Sequence, residues 1–247
     1  MKAFPIALFL FSQAVTAQVL IPAGTILPIE LSSSVQTQKS KPGQRICARI
    51  MQDVPLAREQ EIKAGTKIFG EVLSASQAGK GQFVEISFRF DKLQLKHRSI
   101  PLSTSLRALA SMMEVEAAQT PRISTDREMP WAWRTRDLVG GETAYGEGGP
   151  VSHGRETVGR ALADGVLVRI RSNQRYGCRD EEVGNTQLQA LWIFSSDACG
   201  LYGFNDAHIT HTGHMDPEGI IKIGSNRWKI NIRGGSAMLL SVNSTTE

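Results

Sequence analysis

The residues best suited to chemistry stand in one short run, His208-Ile-Thr-His211-Thr-Gly-His214, with Asp206 and Asp216 on either side. Imidazole and carboxylate are ordinary ligands of zinc and related ions, so the run invites a metal reading. Its spacing argues the other way. On a strand His208 and His214 face one side and His211 the other, and on a helix residues six apart lie on different faces. A turn at Thr212-Gly213 would still gather two of them, and His208 and His214 are the candidate ligands. Histidines exposed at the end of a strand account for the same run without a metal, and no cofactor is expected.

A nucleophilic site has less to stand on. The chain contains no Gly-x-Ser-x-Gly elbow, and none of its three cysteines has a histidine positioned beside it in sequence. Asp180-Glu181-Glu182 lacks the regular ligand alternation of a calcium loop and reads as a solvated acidic loop. No catalytic residue is assigned. Cys178 and Cys199 are expected to pair instead. Cys178 follows Tyr176-Gly177 and Cys199 precedes Gly200, so both stand at strand–loop junctions, where side chains can meet. Cys47 lies inside an alternating run and reads as a small buried thiol. The bridge would close a loop of about 22 residues, worth roughly 3 kcal/mol in the chain-entropy model.

A disulfide presupposes an oxidising compartment, and the N-terminus agrees. Met1-Lys2 is a short basic start, Ala3 to Phe11 is almost entirely apolar, and Val15-Thr16-Ala17 offers small residues for a cut after Ala17. This is the pattern of a secretory signal peptide. Without a cysteine at the cut, a lipid anchor is not expected. The protein is therefore expected in the periplasm, at the periphery of the outer membrane or outside the cell. The formal charge of the 247 residues is +4, and loss of Lys2 with the signal leaves +3. That is too little for the clustered basic face that nucleic acid requires. No mature segment is long and apolar enough for a membrane-spanning helix.

The elements that must position these residues are mostly strands. Ile21-Pro22-Ala23-Gly24-Thr25 returns as Ile62-Lys63-Ala64-Gly65-Thr66, with a Pro42-Gly43 turn between. In Phe83 to Phe90 the residues Val84, Ile86, Phe88 and Phe90 share one face, while Glu85, Ser87 and Arg89 share the other. Residues 18–103 thus read as an antiparallel barrel or sandwich. Leu102, Leu106, Leu109 and Met113 recur at helical spacing, and Ser111 to Ala118 suits one short helix. Residues 104–164 as a whole read as that helix followed by a long Gly-rich loop. Within it Trp131 and Trp133 suggest a segment that packs on something or binds a ligand. Residues 165–247 return to β pattern, with Gly234-Gly235 as a hairpin signal between Arg227–Ile232 and Ala237–Val242. The whole is a mainly β chain with at most one or two short helices.

The block IPAGTILPIEL…KPGQRICARIMQDV…EIKAGTKIFGEVLSA resembles the β-barrel domain of TrbI-like scaffold proteins of type IV secretion systems. The parts that carry the resemblance are Pro22 to Thr25, Pro42-Gly43, Cys47 to Ile50 and Ala64 to Gly70. The remainder, notably GGPVSHG…VGRALADGVLVRI and ALWIFSSDACGLYGF, is similar to uncharacterised exported bacterial proteins that share this barrel. The resemblance implies a barrel fold and an envelope location, and it brings no known activity. The expected function is a non-catalytic exported module that binds or assembles with an envelope protein or surface ligand. The alternatives are a secreted hydrolase with its site in the 119–164 region, or a His-based metal-binding module.

Overall fold

The computed structural model of the chain describes residues 21–76, 82–95, 98–122, 135–178, 187–226 and 229–245. The expected signal peptide, Trp131, Trp133 and the acidic run Asp180-Glu181-Glu182 lie outside them. The N-terminal half supplies β1 (Ile26–Leu31), β2 (Val35–Gln36), β3 (Arg45–Ile50), β4 (Val54–Pro55), β5 (Glu61–Ile62), β6 (Lys67–Ala75), β7 (Val84–Leu95) and β8 (Arg98–Ala110). The one α-helix among the described residues, α1 (Met112–Gln119), follows. Six short strands come next: β9 (Thr135–Asp137), β10 (Thr143–Tyr145), β11 (Pro150–His153), β12 (Glu156–Ala161), β13 (Val166–Val168) and β14 (Gln189–Ala190). The chain ends through β15 (Gly200–Tyr202), β16 (Ala207–His211), β17 (Ile221–Ser225), β18 (Asn231–Ile232) and β19 (Ala237–Thr245).

Six of these strands close into an antiparallel barrel in the order β8, β19, β1, β3, β6, β7 and back to β8. The C-terminal strand β19 completes the ring, paired on one side with β1 (Leu27 opposite Leu240) and on the other with β8 (Leu109 opposite Met238). Sequence-local strands therefore cannot close it alone. Beyond the ring, β17 and β16 extend from β7, and β15 joins β8 in parallel.

Alternation along the strands fills the interior. Val84, Ile86, Phe88 and Phe90 of β7 all enter it, with Phe88 and Phe90 meeting edge to face at 6.1 Å. Arg89 stays outside against Glu71 and Asp91. In β3 the buried residues are Ile46, Ala48 and Ile50, so Cys47 falls on the opposite face. It is half-buried there and unbridged, which corrects the expectation of a buried thiol.

Two of the three residues read at helical spacing with Met113 are separated by a bulge instead. Leu106 pairs with Leu240 and Ala108 with Leu239, which leaves Arg107 as the extra residue of β8. The bulge restores Leu109 to the inner face, and a spacing of three results within a strand. The helix itself starts at the Ser111 cap, whose Oγ accepts from Glu114 N at 3.4 Å.

The two Ala-Gly-Thr turns are structurally equivalent. Thr25 donates its N–H (3.2 Å) and hydroxyl (2.7 Å) to Pro22 O, and Thr66 does the same to Lys63 O at 3.1 and 2.6 Å. Gly24 and Gly65 take φ of 80° and 83°, a region that favours glycine. Each donates its N–H to the strand beside the one it starts, Gly24 to Val242 O and Gly65 to Ile50 O. A third copy was not legible as such. Arg233-Gly234-Gly235-Ser236 has Ser236 N donating to Arg233 O at 3.1 Å, Gly235 at φ 85° and Gly235 N on Leu31 O, and it leads into β19. The expected hairpin is corrected: β18 pairs with β2, and β19 with β1 and β8.

A second layer lies on the outside of β1, β8 and β19. Strands β9 to β14 form a six-stranded antiparallel meander in sequence order. Its apolar residues, including Ala144, Val151, Val166 and Val168, pack with Ile26, Ala108, Ala110, Ala237 and Leu239. These barrel strands are thus buried on both faces along Ile26–Ile29, Leu106–Ala110 and Ala237–Leu240.

Candidate functional site

The strand-end histidines do not converge. His208 is exposed on β16, its ring 6.0 Å from that of Phe83. The His211 ring lies among backbone groups, with Nδ1 2.7 Å from Ile220 O and 3.0 Å from Gly213 N and Nε2 3.3 Å from Asp216 O, so the backbone and not a ligand set holds it. His214 lies beyond Gly213, its N–H 3.4 Å from Thr212 Oγ1. None of the three joins a metal-competent group of three or more side chains among the described residues.

One such group is formed elsewhere, by Glu142, His153 and Asp197, with one ligand atom of each within 4.8 Å of the others. Glu142 follows the Gly140-Gly141 turn before β10. The turn is laced to residues 193–196: Val139 N donates to Ile193 O at 2.8 Å, and Glu142 N donates to Ser195 Oγ at 3.2 Å. Gly140 is required for the approach, since a Cβ there would lie 2.6 Å from Ser195 Oγ, and its φ is 111°. The Glu142 side chain is 2% exposed. Its Oε2 accepts from Ser196 N at 2.8 Å, its Oε1 from the Ser196 hydroxyl, and His153 Nδ1 stands 3.1 Å from Oε1.

His153 ends β11, where the chain turns through Gly154-Arg155 into β12, and its side chain is 41% exposed. Asp197 follows Ser196. Its carbonyl accepts from Asn173 Nδ2 at 3.0 Å, and its Oδ1 is out of solvent with no hydrogen-bond partner. Arg171 stands near both carboxylates. Its guanidinium is made more basic chiefly by its hydrogen bond with Glu156, with smaller contributions from Glu142 and Asp197. No local spacing joins residues 142, 153 and 197, so sequence reasoning missed them. The one available signal was His153-Gly154, a polar residue at a hairpin tip.

Cys178 and Cys199 are joined, with Cα atoms 6.1 Å apart. The bridge lies two residues beyond Asp197 and lines a cavity of about 420 Å³ between β8 and β16. The cavity wall also holds Arg107, His211, His214, Met215 and Asp216. Arg107 reaches it because the bulge of β8 breaks the alternation, a common way for a strand to re-aim a side chain. It is 5% exposed, and its Nη2 donates to Arg171 O at 2.7 Å. Met215, 74% exposed, gives the rim an apolar edge.

Fold and site together define a disulfide-bridged closed β-barrel carrying a β-meander on its outer wall. No family model matches the chain, and no curated protein is significantly similar to it. No helix among the described residues is long and apolar enough to cross a membrane.

Proposed function

We propose that the protein is an exported, non-catalytic module that binds a partner or surface ligand at the cell envelope. The observation that carries this reading is the cavity beside the disulfide. A closed barrel is a rigid scaffold, and small-molecule sites are concave, largely pre-formed and mostly apolar with a few placed polar groups. Here a buried arginine, two histidines, an aspartate and an exposed methionine border one opening. Polar groups of both signs beside an apolar edge suit a ligand with a polar head and an apolar part. The disulfide supports an oxidising compartment, and the signal pattern of residues 1–17 supports export. The TrbI-like reading of the first barrel strands belongs to this proposal and adds an assembly role.

A second reading, a secreted hydrolase with its site in the 119–164 region, draws on Glu142 and His153, which stand in that segment. Both readings meet one experiment. The mature protein and a Met215→Asp variant, which changes the exposed apolar edge of the cavity to a carboxylate, are used to capture partners from envelope fractions. The binding module predicts an exported chain beginning at or near Gln18, and a partner that the altered cavity rim no longer holds. Intact Met1 on a cytosolic protein, or capture unchanged by Met215→Asp, overturns it. Hydrolysis abolished by Glu142→Gln would favour the hydrolase.

A further inference from the structure

We propose that Glu142, His153 and Asp197 form a binding site for one divalent transition-metal ion of the zinc class. The proposal is independent of the cavity and of the envelope role.

Three observations point the same way. The donor atoms are close enough to share an ion, all lying within 4.8 Å of one another. The Glu142 carboxylate is fixed in place before any ion arrives, oriented by the Ser196 N–H and hydroxyl, and Asn173 anchors the backbone of Asp197. Finally, Asp197 Oδ1 lacks both solvent and a hydrogen-bond partner. A carboxylate oxygen in that state is costly unless a cation or donor reaches it. Arg171 does not meet this need with a hydrogen bond: its guanidinium donates to Glu156, and no donor reaches Asp197 Oδ1. An ion bridging Asp197 and Glu142 would compensate both carboxylates at once.

The donor set also selects the ion. Calcium and magnesium prefer all-oxygen sites, whereas an imidazole with two carboxylates suits zinc, manganese or iron. His153, at a partly exposed hairpin end, gives the ion a route in from solvent. Ser196 and Asn173 are the groups that hold the ligands in place, as such sites require. The disulfide two residues beyond Asp197 restrains the same loop.

The test uses the full mature chain, stripped with a chelator and titrated with Zn²⁺ by calorimetry. One ion should bind per chain. His153→Ala and Asp197→Asn should each weaken binding by roughly tenfold or more, and the double change His208→Ala/His214→Ala should leave it unchanged. X-ray absorption of the zinc-loaded protein should report a single imidazole nitrogen among oxygen ligands. Ca²⁺ at equal concentration should not displace the zinc. Absence of saturable zinc uptake, binding that survives His153→Ala, binding lost with the strand-end histidines, or displacement by Ca²⁺ would overturn the assignment. His153 lies at the open end of a hairpin, so its variant carries the test even if Asp197→Asn fails to fold.

Discussion

Barrel and meander are both antiparallel sheets of six strands, yet different forces hold them. Barrel strands reach 13 residues in β8, and their inner faces share one continuous core of Ile, Leu, Val and Phe. Closure leaves the ring without an edge. Meander strands run from two to six residues and bury one apolar face against the barrel wall. Much of what locates the meander is polar or covalent. Gln52, fully buried, accepts from Val166 N at 3.1 Å and Trp192 N at 2.7 Å, and donates to Val166 O at 2.9 Å. Trp192 is buried in the left-handed region at φ 53°, a conformation a bulky residue adopts only when its surroundings impose it. Glu142 ties the β10 end to residues 195–196, and the disulfide ties residue 199 to residue 178. Long strands spread stability over many apolar contacts, whereas a short-strand layer concentrates it in a few specific groups.

Single changes should separate the two regimes. The largest effect is expected at the barrel core. Leu240→Ala, at a fully buried position of the closing strand, should cost about 4 kcal/mol. Urea unfolding should show a lower midpoint for the whole chain, with barrel and meander probes moving together. A meander that unfolds separately in this variant would break the view that it depends on the barrel wall.

Reduction of Cys178–Cys199, or Cys178→Ser with Cys199→Ser, should cost roughly 3 kcal/mol. Here hydrogen exchange should rise first at residues 187–199 and leave β3, β6 and β7 protected. Uniform loss of protection would place the bridge among the barrel's supports. Gln52→Leu should cost about 2 kcal/mol, because it strands two buried N–H groups. Exchange at the Val166 and Trp192 amides should accelerate, and unaltered exchange there would show that the layer is held without this bridge.

The smallest effects belong to the surface pairs. Asp137 is held below the ordinary carboxylate range chiefly by its hydrogen bond from Arg122, and Asp53 by the Ala64 N–H and then by Lys63. A carboxylate with a lowered folded-state pKa contributes above its unfolded value of about 4. That contribution is lost as pH falls through the folded value. Both side chains are more than a third exposed, so solvent screens most of the gain. Asp137→Asn should therefore lower Tm slightly at pH 7, and the difference from wild type should vanish in strong acid. A difference that persists there would mean that the Arg122 pair is not its source.

Local patterns carried much of the barrel. Two copies of Ala-Gly-Thr, the Pro42-Gly43 turn and the alternation of β7 are properties of neighbouring residues, so the strands they bound and the faces they bury were legible in the chain. The Cys178–Cys199 pair was legible too, because only three pairings existed and Cys47 stood inside a strand pattern. Tertiary structure decided the rest. The place of β19 between β1 and β8 depends on contacts with residues far away in sequence on both sides, and it turned Gly234-Gly235 from an apparent hairpin into a third turn of the Ala-Gly-Thr kind. The bulge at Arg107 exists only relative to the register of β19, and it disguised a strand as helical spacing. Glu142, His153 and Asp197 share no spacing at all. They meet because the meander folds back on residues 192–199, and a sequence pattern can record proximity only where the chain itself is the link.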